Sequence, residues 1–154
     1  MIGVDYLKSL EYVDASRIAV HGWSYGGFMA SSLMLRQPGV FTVAAAGGPV
    51  TDWKYYEVMY GERYMDTPEE NKEGYDKSRV GQYLENLDGK MLIIHGSVDP
   101  VVVPQHSMTL LKEAVDKNVQ IDFFTYPMHE HNVLGKDRVH LMQKILDYIV
   151  EYNK

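Results

Sequence analysis

An α/β fold, with a mainly parallel sheet flanked by helices, is predicted by three features of this 154-residue chain. Short apolar runs alternate with segments of helical period, the pattern of a layered α/β domain. The runs are continuously apolar rather than alternating, as in strands covered on both faces. No repeat, low-complexity tract or linker interrupts them, so the length argues for one domain.

In chain order, Ile2, Tyr6 and Leu10 recur at helical spacing and predict a short helix over residues 2–10. Residues 17–21 (RIAVH) read as the first strand. The turn GWSYGG follows, and then a helix through Phe28, Met29 and Leu33 that stops near Gln37-Pro38-Gly39. Residues 41–46 form a second strand. Thr67-Pro68-Glu69-Glu70 has the capping residue, proline and glutamate of a helix start. Asp88-Gly89 is an ordinary turn. Residues 91–95 (MLIIH) are a third strand, and Pro104 opens a helix expected to turn Leu111 and Val115 to the core. Residues 121–126 are the fourth strand. Val139, Met142, Leu146 and Ile149 mark a long final helix.

Composition excludes several classes. A net charge of -6 argues against nucleic-acid binding, which needs a basic surface. No apolar run approaches the roughly 20 residues of a membrane-spanning helix, and the first residues lack a signal-peptide layout. Without cysteine there is neither a disulfide framework nor a thiolate metal site, and the H-E-x-x-H zinc pattern is missing, so no metal or cofactor is expected.

In an open parallel sheet, ligands sit beyond the carboxyl ends of the strands. The first strand leads into Gly22-Trp23-Ser24, the third into His95-Gly96-Ser97-Val98-Asp99, and the fourth into Tyr126-Pro127-Met128-His129-Glu130-His131. Serine, aspartate and histidine thus follow strand ends in the chain order of the α/β-hydrolase triad. Gly-x-Ser-x-Gly between strand and helix presents a serine on a sharp turn, its glycines avoiding collision with neighbouring backbone. Ser24 is the candidate nucleophile and Asp99 the carboxylate that orients the base. His129 or His131 is the base, and the spacing leaves both open. The Tyr25 N–H is the candidate oxyanion donor. His21 and His95 are expected to satisfy strand-end hydrogen bonds.

These residues also carry a resemblance. GWSYGG, GGPVTDWKYYEVMYGERYM, HGSVDP and YPMHEHNV are similar to the catalytic domain of the dipeptidyl peptidase IV family, in the prolyl oligopeptidase group. VMYGERYMDTPEE and HGSVDPVVVPQHS look closest to bacterial members, which include prolyl tripeptidyl peptidases. The resemblance covers nearly the whole chain. It implies the C-terminal half of an α/β-hydrolase domain, with the preceding strands and a β-propeller lying upstream. It selects His131 as the base, and it implies a proline pocket from Val50, Trp53, Tyr56, Tyr60 and Val102. The implied reaction is release of an N-terminal di- or tripeptide ending in proline or alanine, through an acyl-enzyme, without a cofactor. The substrate partner is a peptide with proline near its amino terminus. Relatives are mostly periplasmic, secreted or membrane-tethered.

Two departures bear on these expectations. Val101 stands where the family's dipeptidyl members have a substrate-contacting asparagine, which favours tripeptides. The second oxyanion donor, a tyrosine of the upstream half, is not among these residues, so a weakly active chain is expected. Self-association is expected through the open edge of the first strand or through the final helix, unless that helix buries its apolar face in its own core. An esterase of the same fold or a non-catalytic interaction module are the alternative functions. The first would not need the Trp-Tyr slot, and the second has no use for an intact serine, aspartate and histidine.

Overall fold

The computed structural model describes residues 1–154. Its elements run α1 (Ile2–Lys8), β1 (Ala19–Trp23), α2 (Tyr25–Arg36), β2 (Val43–Gly47), α3 (Val58–Met65), α4 (Lys72–Ser78), β3 (Lys90–Gly96), α5 (Gln105–Asp116), β4 (Asp122–Tyr126) and α6 (Lys136–Tyr152). Short 3-10 turns occupy Trp53–Tyr55 and Val80–Asn86. The four strands form one wholly parallel sheet in the order β1-β2-β3-β4. The chain has the α/β-hydrolase architecture of a parallel sheet flanked by helices.

Strand alternation sends side chains to two separate cores. Ala44, Ala46, Met91 and Ile93 pack against Ala30, Met34 and Leu35 of α2 and Leu110 and Ala114 of α5. Ala45, Leu92 and Ile94 face the other way, onto Leu141 and Ile145 of α6. The alanines of β2 keep the central strand slim. At its end, a Cβ on Gly47 would lie 1.9 Å from the Trp23 ring, so only glycine lets that indole lie there.

Several expectations are corrected. β2 and β3 are buried along almost their whole length, but β1 and β4 are edge strands, and His21, Asp122 and Thr125 are exposed. Continuous apolarity therefore holds only for the inner pair. Helix α1 ends at Lys8, and Ile2 and Tyr6 face solvent while Val4 packs on the core. On α5 the inner face is His106, Ser107, Leu110 and Ala114, one position before the expected one, and Val115 is exposed. α6 carries two apolar stripes. Leu141 and Ile145 are buried, with Ile149 packed beside them, whereas Val139, Met142 and Leu146 face outward. At Thr67 the capping hydrogen bonds with Glu70 form, yet they close only a turn. α4 starts later, where the Asn71 side chain accepts the Gly74 N–H.

No helix is long and apolar enough to cross a membrane.

Candidate active site

Ser24 joins β1 directly to α2 and adopts φ 60°, ψ -118°, a left-handed conformation that non-glycine residues avoid. Such a residue costs about 1–3 kcal/mol and persists only when its surroundings enforce it. Here the Ser24 N–H donates to the Gly47 carbonyl at 2.8 Å, and its own carbonyl accepts the Phe28 N–H at 3.0 Å. The two motif glycines differ. A Cβ on Gly22 would lie 2.1 Å from the Gly26 carbonyl oxygen, whereas one on Gly26 would meet nothing within 4 Å. The expectation that both glycines avoid collisions is corrected: Gly22 does so, and the second constrained glycine is Gly27, whose Cβ would lie 2.6 Å from the Gly47 oxygen. The Tyr25 N–H is the first of α2, one of the four that a helix cannot satisfy internally. It is free to meet an oxyanion next to Ser24.

Asp99 lies in the loop after β3 and is 3% exposed. One carboxylate oxygen accepts the Val101 and Val102 N–H groups at 2.8 and 2.9 Å. The other accepts His131 Nδ1–H at 2.7 Å. Burial works against its ionisation, but hydrogen bonds from His95, His131 and the two amides outweigh it and hold the carboxyl at about 2. Asp99 is therefore charged at neutral pH.

Between the two candidate bases the geometry discriminates. His129 Nε2 bonds Asp137 at 2.7 Å, tying that ring to the start of α6. His131 is the ring held by Asp99, and it sits over Gly48, where a Cβ would be 3.4 Å from its Cε1. Because Nδ1 donates to Asp99, Nε2 is the nitrogen left to serve as base. Ser24 Oγ and His131 share no hydrogen bond here, and such bonds often tighten only with substrate.

The loops carrying the two residues are fastened to each other and to β1. The Val98 N–H donates to the His129 carbonyl, and the Met128 N–H to Ser97 Oγ. A Cβ on Gly96 would lie 2.2 Å from the Glu130 carbonyl oxygen. Trp23 Nε1–H donates to the His131 carbonyl at 2.9 Å.

The structure brings the five residues expected for the proline slot together. Trp53 packs with Val50, Val102 and Tyr56. Tyr60 stacks on its ring with centroids 5.8 Å apart, and Tyr56 meets both edge-on. Val50 and Val102 are buried behind the indole. The open cleft, of about 290 Å³, is lined by Trp53 and Tyr60 together with Tyr25, Phe28, Gly61, Tyr64 and Met65. Tyr64 went unremarked in the sequence, although it stands one helical turn beyond Tyr60. A larger groove of about 440 Å³, between α2 and α4, contains none of the candidate residues.

Two further histidines lie behind the site. His95 is 1% exposed and both its nitrogens are engaged, which fits the expected strand-end role; His21 likewise donates Nδ1–H to the Ala45 carbonyl. His106 accepts the Thr51 N–H at Nδ1, and its buried Nε2 has no partner. Burial, followed by the proximity of His95, pushes His106 down to about 4.

Comparison with known proteins agrees with this architecture. The profile of the prolyl oligopeptidase family matches residues 1–154. Human and mouse dipeptidyl peptidase 8 are 33% identical over 154 residues, covering 97% of this chain and 17% of theirs. The crystal structure of Porphyromonas gingivalis dipeptidyl peptidase 4 superposes with a TM-score of 0.91 at 35% identity, covering 97% of this chain and 21% of that one. A Bacteroides ovatus structure, provisionally assigned as a dipeptidyl aminopeptidase IV, reaches a TM-score of 0.96 at 54% identity, covering 98% and 21%. The chain thus spans about a fifth or less of the length of these relatives.

Proposed function

The chain belongs to the prolyl oligopeptidase family, and from that premise we propose that it carries the catalytic centre of a serine exopeptidase releasing N-terminal di- or tripeptides ending in proline or alanine. One observation supports this most: a serine held at positive φ at the head of a helix, on the same sheet end as a buried Asp99–His131 pair bonded at 2.7 Å.

Each group then has a role. His131 Nε2 takes the Ser24 proton as Oγ attacks the carbonyl carbon of the scissile bond. The oxygen that becomes anionic accepts the Tyr25 N–H, and Asp99 stabilises the imidazolium. His131 returns the proton to the leaving amine, and the acyl chain stays on Ser24. Water, deprotonated by His131, then releases the peptide and frees Ser24. The Trp53–Tyr60 wall is the surface against which a pyrrolidine would pack, since flat rings bury apolar area without losing much side-chain freedom. The named relatives are dipeptidyl enzymes, whereas Val101 favours the longer product. Peptide recognition and the second oxyanion donor come from beyond these residues, and losing one such donor costs about 100- to 1000-fold.

The test is a fluorophosphonate, which reports an activated serine without peptide recognition. Intact mass and peptide mapping should show one adduct, on Ser24, lost in Ser24→Ala. A folded chain that takes none would refute the proposal. In the full-length protein, faster turnover of a short acyl ester than of a proline-ended anilide would point to an esterase.

A further inference from the structure

Asp99 is approached by two imidazoles, and the mechanism uses only one. His95 lies at the end of β3 with Nε2 2.7 Å from the Val102 carbonyl and 3.3 Å from the Asp99 oxygen that also accepts His131. A carbonyl can only accept, so Nε2 carries the proton. Nδ1 is then the acceptor for the Ser107 hydroxyl at 2.7 Å. The Val102 carbonyl thereby fixes the tautomer of neutral His95, and the Ser107 hydroxyl, able to donate or accept, donates to match it. His95, Val102 and Ser107 are all essentially inaccessible to water.

We propose that His95 is a positioning residue for the catalytic centre: its Nε2–H clamps the 99–102 loop through Val102 and shares the Asp99 oxygen with His131. The polar chain then runs His131, Asp99, His95, Ser107, with the Ser107 hydroxyl bonded to Nδ1 at its far end and Ser24 joining at the His131 end when substrate binds. This rests on the Ser24–His131–Asp99 reading above and adds two residues to it. Removing the His95 donor takes the anchor from the 99–102 loop and one of the contacts that fix the Asp99 carboxylate against His131, which slows the reaction.

The experiment compares the chain with its His95→Leu, His95→Gln and Ser107→Ala variants. The rate of fluorophosphonate labelling at Ser24 is measured between pH 5 and 9, and nitrogen-15 spectra of the histidines are recorded alongside. His95→Leu should label about 10-fold or more slowly, as losses of supporting hydrogen bonds commonly do. His95→Gln, which keeps an N–H within reach of the same atoms, should recover most of the rate, and Ser107→Ala should fall between. A folded His95→Leu chain with the parent's rate overturns the proposal. So does a His95→Gln variant as impaired as His95→Leu, because packing alone would then explain the loss. If His95→Leu does not fold, the glutamine and Ser107→Ala variants decide by the same criteria. A parent that folds but takes no label defeats the serine-peptidase reading instead. The spectra then test the His95 contact by themselves: His95 must be the Nε2–H tautomer.

Discussion

Gly22→Ala and Gly26→Ala change equivalent letters of one motif and should act in opposite directions. At Gly22 the new methyl would sit 2.1 Å from the Gly26 oxygen and 2.3 Å from its carbon, more than an ångström inside ordinary contact at 3.4 Å. Both sides of that clash are backbone, so no side chain can swing away. Either β1 or the first turn of α2 must move, carrying Ser24 and the Tyr25 N–H with it. Overpacking of this kind costs about 1–3 kcal/mol. A displacement near 1 Å at reacting groups costs about 100-fold in rate. At Gly26 the methyl meets nothing, and alanine restricts the unfolded chain, which stabilises by about 0.4–1 kcal/mol. Urea denaturation gives the stabilities and phosphonate labelling of Ser24 gives the rates. Equal effects of the two substitutions, or a Gly26→Ala chain worse than Gly22→Ala, would refute the steric reasoning.

Three further outcomes are expected. Stability should fall as pH drops from about 6.5 towards 4, because unfolded His106 takes up its proton before the folded one does. The loss is about 3 kcal/mol over that window, a His106→Gln variant should flatten it in urea titrations at stepped pH, and the contribution of Asp99 disappears only at lower pH, towards 2. Asp99→Asn should leave the fold in place by circular dichroism while cutting the labelling rate by about 10⁴-fold, since an amide can bond the wrong tautomer of His131. The outer edge of β1 has no paired strand, so light scattering should show association that grows with concentration; a monodisperse monomer throughout would count against it.

The sheet and the chain order of the triad were legible because each rests on a local signal: an apolar run, then a polar residue at its end. Ser24, Asp99 and His131 follow three different strands, and parallel pairing forces those ends to one side. Helix faces were less legible. Periodicity shows that α5 and α6 have apolar stripes but not which stripe meets the sheet, so Leu111 was expected where Leu110 lies. The tyrosine cluster was visible, but the packing of Val50 and Val102 with Trp53 joins residues distant in sequence, which no local pattern encodes. The second imidazole on Asp99 had only a weak signal, the four-residue spacing of His95 and Asp99.

The hydrogen bond from Trp23 to the His131 carbonyl spans 108 residues of sequence. Contacts of that range form late, since the intervening chain must first be gathered in. On the proposed reading of the site, Ser24 leaves the ribosome before the base His131 has been made. The serine would gain that base only once β4 has docked and the indole has captured the loop behind it. The order of translation would then act as a safeguard, keeping the proposed centre dormant until its own fold is closed.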